Sequence, residues 1–117
     1  MLGHPVNILS GESMRLSERD YGRTFEISIG EELEIILPAN PTTGYIWEPC
    51  SLDVNRLRLG QAEFFANDKV PGSVGMEIIK LHALAAGTSI VKLIFHRSFE
   101  QNIPPLKTFE VTLVIKK

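Results

Sequence analysis

The sequence predicts an all-β fold, a sandwich or barrel of short strands. Three observations point there: an apolar-polar period of two along most of the chain, breaks carrying Gly or Pro between the periodic runs, and the lack of competing helical heptads or internal repeats. In TFEISI, Phe25, Ile27 and Ile29 alternate with Thr24, Glu26 and Ser28. In ELEIIL, Leu33, Ile35 and Leu37 alternate with Glu32, Glu34 and the apolar exception Ile36, so the two runs read as strands joined at Gly30 and Glu31. The segment MEIIKLHALAAGTSIVKLIFHR gives the clearest pair: Ile79, Leu81 and Ala83 face one way, as do Val91, Leu93 and Phe95. The intervening AAGTS supplies the glycine a tight reversal needs, which predicts a hairpin. The chain closes on TFEVTLVIKK, where Phe109, Val111, Leu113 and Ile115 form a core face opposite Glu110, Thr112, Val114 and Lys116.

Elsewhere the pattern is weaker. In SLDVNRLRLGQAEFF, Leu52, Val54, Leu57 and Leu59 suit strands or a short helical turn before a strand at 62–65; the reading adopted is mostly strand. Val6 to Leu9 suit a further strand, and SGESMRLSERDYG reads as a surface loop. Three long non-periodic connections remain: Pro38 to Ile46, Asn67 to Gly75, and Arg97 to Lys107.

The 117 residues suit a single domain spanning 1–117, in which 1–22 is the least patterned part. A chain this size buries roughly two-thirds of its unfolded surface. With 44% hydrophobic and 22% charged residues there is enough apolar material to offset the entropy of ordering. A net charge of −2 provides no basic footprint, so nucleic acid is not an expected partner. Cys50 stands alone, which excludes an intramolecular disulfide and a cysteine pair for zinc. His4, His82 and His96 lie on different segments, Cys50 has no base nearby in the pattern, and Glu31-Glu32 sits at a turn. No catalytic residue, metal or cofactor is therefore expected. The N-terminus contains no apolar run of signal-peptide length and no segment approaches a membrane span. As written the chain is expected to be cytoplasmic, monomeric and without membrane partners, although a removed leader would leave no trace. Asn40 precedes Thr42, but Pro41 blocks it as a glycosylation acceptor.

The stretch NPTTGYIW, Asn40 to Trp47, is a loop built to hold its shape. Pro41 fixes one φ, Thr42 and Thr43 are stiff at χ1, and Gly44 permits a backbone conformation other residues resist. A loop ordered in advance loses less entropy on binding. The plain alternative is a well-made turn with Trp47, the only Trp, buried beneath it; the two readings are compatible, since a core anchor would serve a binding loop.

NPTTGYIW resembles the signature of the chagasin-type inhibitors of papain-like cysteine proteases, in which an Asn-Pro-Thr-Thr-Gly-aromatic-x-Trp segment forms the loop between strands B and C. The family's second element is a Gly-x-Gly segment in the D-to-E loop; VPGSVGMEII occupies that place, with Gly72 and Gly75 present and Val74 where the second glycine stands. Its third is an Arg-Pro-Trp segment opening the F-to-G loop; in HRSFEQNIPP Arg97 is kept, Ser98 stands for Pro and Phe99 for Trp. The resemblance covers about residues 24–117, with the order and spacing of the three loops retained.

The resemblance implies an immunoglobulin-like β-sandwich with three long loops at one end, 40–45, 70–76 and 97–104, forming a wedge that occludes the active-site cleft of a papain-like, cathepsin-like enzyme. By carry-over the protease-binding residues are Asn40, Pro41, Thr42, Thr43, Gly44 and Tyr45 in the first loop. Pro71, Gly72, Ser73, Val74 and Gly75 line the substrate groove, and Arg97, Ser98 and Phe99 pack on a flank. Arg and large aromatics are enriched among binding hot spots; the plain reading of Arg97 and Phe99 is a solvated Arg and a Phe tucked back onto the sandwich. A rival function is an immunoglobulin-like binding or adhesion module with an unrelated partner, since a fold alone does not assign function.

Overall fold

Two β-sheets packed face to face bury the residues that alternation assigns to the interior. The computed structural model describes residues 14–65, 75–100 and 102–117. Its strands are β1 (Met14–Leu16), β2 (Thr24–Ser28), β3 (Glu32–Ala39), β4 (Tyr45–Ser51), β5 (Leu57–Leu59), β6 (Glu63–Phe65), β7 (Gly75–Ala83), β8 (Gly87–Arg97) and β9 (Lys107–Lys116). One sheet has the order β1-β3-β7-β5, with β6 also pairing β7; the other has the order β2-β9-β8-β4. The expected immunoglobulin-like sandwich is the observed architecture.

The core follows the period-two reading closely. Leu33, Ile35 and Leu37 of β3, Ile79, Leu81 and Ala83 of β7, Val91, Leu93 and Phe95 of β8, and Phe109, Val111, Leu113 and Ile115 of β9 are all buried. Each large side chain among them contributes about 1.5–3 kcal/mol through removal from water. Trp47 joins them from β4.

Pairing is where the sequence reading needs correction. The predicted hairpin between 76 and 97 does not form: β7 pairs β3, β5 and β6 in one sheet, while β8 pairs β9 and β4 in the other. The strands joined at Gly30 and Glu31 also part company. Ile29 N–H still donates to Lys116 O at 2.8 Å, whereas Gly30 N–H already donates to Ala83 O of the opposite sheet at 2.9 Å. Both connections are arches between layers, and a strand with one buried face alternates identically whether its sequence neighbour lies beside it or across the core. At the second arch Gly87 has φ +138, a conformation L side chains rarely adopt, and the Arg56 side chain packs where its Cβ would stand. The reversal thus requires glycine for its backbone.

Three smaller differences share one cause, the shortness of edge elements. Met14–Leu16, read as surface loop, is a strand pairing β3 in parallel, and its one buried side chain, Leu16, is too little signal for a period. In the ambiguous stretch, after Ser51 closes β4, only β5 and β6 are strands, separated by residues 60–62; Leu57 is buried but Val54 and Leu59 are exposed. Ile29 falls outside β2 and is exposed. The strand suggested at Val6 to Leu9 lies outside the described residues.

Register brings the three long connections to one end of the sandwich. Ala39, the last residue of β3, lies opposite Gly75, the first of β7, and Phe65 at the end of β6 lies opposite Met76. In the other sheet Tyr45 opens β4 opposite Arg97, which closes β8, and Lys107 opens β9 opposite Phe95. The strand ends that flank the three connections, Ala39 and Tyr45, Phe65 and Gly75, Arg97 and Lys107, therefore all lie at the same edge of the molecule. The first connection is shorter than its sequence reading, because Pro38, Ala39, Tyr45 and Ile46 belong to strands.

Candidate functional site

The first loop is a closed turn knit together by Asn40. A 3-10 turn over Pro41–Thr43 brings Thr43 N–H to Asn40 O at 3.1 Å, and an isolated bridge pairs Asn40 with Tyr45. Thr42 Oγ1 donates to Asn40 Oδ1 at 2.7 Å and Thr43 Oγ1 donates to Asn40 O at 2.9 Å. The two hydroxyls are thus oriented by the loop itself, and both threonines remain exposed. Gly44 closes the turn at φ +87, in the left-handed region that favours glycine.

The third loop rests on the first. Arg97 Nε donates to Thr43 O at 2.8 Å, its guanidinium carbon lies 4.5 Å from the centre of the Tyr45 ring, and Nη1 is 3.4 Å from Glu100 Oε2. This combination of a charge-assisted hydrogen bond and a cation–π contact orders a side chain that would otherwise sample many rotamers. Phe99 comes next: a Cβ on Gly44 would lie 2.9 Å from Phe99 Cε1, so one ring edge covers the bare Gly44 backbone while 72% of the residue stays exposed. Arg97 is therefore more than a solvated side chain, since it braces the third loop on the first, and Phe99 rests one edge on Gly44 while most of its surface stays exposed.

Beneath the loops sits Trp47, 4% exposed, with both of its N–H groups engaged across the sandwich. Its indole Nε1 donates to Pro38 O at 2.9 Å and its backbone N–H donates to Glu77 Oε1 at 2.8 Å. Its ring stacks on Phe95 at 5.0 Å between centroids, and Tyr45 lies against the same Phe95 at 5.3 Å. One residue thus touches the strand that enters the first loop, the strand that leaves the middle segment and the strand that enters the third loop. β4 is an edge strand, and the Glu77 carboxylate satisfies a backbone N–H there that the β8 ladder does not.

Glu77 is the residue that sequence reasoning missed. It is 1% exposed on the core face of β7, and burial, partly offset by the Trp47 N–H and reinforced by the field of Glu48, raises its pKa above the ordinary 4.5. The available signal was its phase: a carboxylate two residues before Ile79 and four before Leu81 stands where the pattern demands an apolar side chain. The third loop also exposes Ile103 and Leu106, apolar positions to which no role was assigned.

Of the residues carried over, the structure brings Asn40, Thr42, Thr43, Gly44, Tyr45, Arg97, Ser98 and Phe99 together, with Gly75 at the adjoining start of β7. Pro41 opens the 3-10 turn. Pro71, Gly72, Ser73 and Val74 lie outside the described residues. Cys50 is exposed toward the far end of β4, and Glu48 Oε1 of the same strand lies 2.6 Å from Nε2 of His96 on the neighbouring β8, an arrangement suited to a surface pair. Among the described residues no group of three or more His, Cys, Asp or Glu is placed to hold a metal ion, and no helix is long and apolar enough to cross a membrane.

Comparison with known proteins bears on this geometry directly. The profile of the Chagasin family peptidase inhibitor I42 matches residues 26–113, which include all three loops. Amoebiasin-2 of Entamoeba histolytica is 31% identical over 104 residues, covering 86% of this chain and 84% of that protein. Chagasin of Trypanosoma cruzi is 31% identical over 90 residues, covering 73% of this chain and 82% of its own length. Among solved structures, the cysteine protease inhibitor EhICP2 of Entamoeba histolytica superposes with a TM-score of 0.77 at 28% identity, over 88% of this chain and 94% of that one. A family match across three-quarters of the sequence, shared with relatives of similar length, settles the assignment: the chain belongs to the chagasin family of peptidase inhibitors.

Proposed function

We propose that the protein inhibits papain-like cysteine proteases reversibly by inserting the end bearing the three loops into the active-site cleft. The observation that carries this reading is the locked convergence of the loops: Arg97 fixes the third on the first, and Trp47 ties their roots into the core. The relative EhICP2 is described as a cysteine protease inhibitor, which supports the same target class. No chemistry by the inhibitor is needed. Thr42, Thr43 and Gly44 approach the enzyme's catalytic Cys and His; the segment 70–76 runs along the groove; Phe99 packs on the flank. Small side chains at the tip fill the cleft and exclude water without presenting a peptide bond in attack geometry. Because the first and third loops are held before contact, little of their ordering entropy is lost on association, and a standard interface of roughly 800 Å² per partner supports tight binding. An adhesion module would share the sandwich but has no use for this loop set.

Titration of papain or a cathepsin-like enzyme with the protein, read with a fluorogenic peptide, is expected to abolish turnover in a competitive and reversible manner. Full activity at large inhibitor excess across several such enzymes would overturn the reading.

A further inference from the structure

We propose that Glu77 is a positioning residue of the inhibitory end: through its bond to the Trp47 N–H it sets β4, which leaves the first loop, against the start of β7, and so sets affinity for the protease. The inference rests on the inhibitory reading above and assigns it a residue that need not touch the enzyme. Three features support it. Glu77 stands two residues after Gly75, where the chain leaves the middle segment, while Trp47 stands two residues after Tyr45, where it leaves the first loop. The carboxylate is buried within the core and its Oε1 is 2.8 Å from the Trp47 nitrogen, so it joins strands of opposite sheets. Its ladder partners, Leu37 on β3 and Phe64 on β6, are apolar, and the charged group whose field it feels is Glu48 of β4. A purely packing role at this position would be served better by Leu or Ile, because a buried carboxylate carries a desolvation cost that an apolar side chain avoids. What the carboxylate adds is a directed acceptor.

The test compares Glu77→Gln, which keeps an acceptor at the same reach, with Glu77→Leu, which removes it, and Glu77→Asp, which keeps the charge but withdraws it by one methylene. Inhibition constants against one papain-like enzyme are measured beside thermal unfolding and amide NMR shifts. Leu and Asp are expected to weaken inhibition by about tenfold or more, as an unmade buried hydrogen bond allows, and Gln to stay within about threefold. Amide shifts in the Leu and Asp variants should spread from Trp47 across 40–45. Stability supplies a pH signature. A carboxyl whose folded pKa is raised contributes stability that is fully present below its unfolded value of 4.5 and lost as pH rises through the folded value. The Gln variant should therefore exceed wild type in stability at pH 7, with the gap closing as the solution is acidified.

Wild-type inhibition by the folded Leu or Asp variant would overturn the proposal, as would loss of inhibition in Gln equal to that in Leu, or a stability gap that ignores pH. Should the Leu variant fail to fold, Asp and Gln carry the comparison. Should wild type inhibit no protease, the functional reading fails separately, and Glu77 is judged on the shifts: spread across 40–45 upholds its positioning role, and confinement to Trp47 overturns it.

Discussion

Trp47→Ala is expected to produce the largest loss of any single substitution, about 3–5 kcal/mol of folding stability from the emptied core volume. Pro38 O also loses its indole donor and Phe95 its stacking partner. Inhibition should fall further than the unfolded fraction explains, because the ring supports the strands on both sides of the first loop and the strand leading into the third. Chemical denaturation, paired with inhibition assays at a temperature where the variant is still folded, separates the two effects. Trp47→Phe is expected to cost less: it fills most of the space but leaves the half-buried Pro38 O without its indole donor, a loss of about 1 kcal/mol for the bond itself. If both variants inhibit like wild type while folded, the loop end does not depend on its core anchor.

Thr43→Glu is expected to do the opposite, leaving the fold intact while weakening inhibition by about a hundredfold or more, since a charge would enter a desolvated cleft without a partner. Thr43 is exposed, and its contribution to the structure runs chiefly through its backbone: its carbonyl receives Arg97 and its N–H bonds Asn40 O. The side-chain bond from Oγ1 to Asn40 O is lost, yet the 3-10 turn remains closed by the backbone bond. Thr88→Glu is the matched control, an equal change of charge at an exposed position where β8 begins, at the opposite end of the sandwich. Melting temperatures near wild type for both, with inhibition lost only in the first, locate the interface. Unchanged inhibition by Thr43→Glu would remove the first loop from it.

The residues that read most clearly in the sequence are those whose environment is strictly one-sided. Leu33, Ile35 and Leu37, or Phe109 through Ile115, see the core on one face only, and alternation reports that directly. Alternation says nothing about which strand lies alongside, and so the arch from Ala83 to Gly87 read as a hairpin. The information that decides it lies in tertiary contacts: Leu84 N–H donates to Arg56 O, and Arg56 Nε donates to Ala86 O, holding the turn against the β5 side of the molecule. Likewise the loop NPTTGYIW declared its stiffness through residue types, but the role of Arg97 depends on a bond to Thr43 O across 54 positions of sequence, which no local pattern encodes. Glu77 was legible in principle as a broken alternation. Its meaning required the Trp47 N–H, a group that only an edge strand leaves free.

The central claim is occupancy of an active site, and binding to one papain-like enzyme in two forms tests it most directly: the free enzyme, and the same enzyme with its catalytic cysteine capped by a peptide-like covalent blocker that fills the cleft. Calorimetry is expected to show tight one-to-one binding to the free form and loss of that binding in the blocked form, because the three loops and the blocker claim the same space. Equal affinity for both forms would contradict the account, placing the contact on another face of the enzyme.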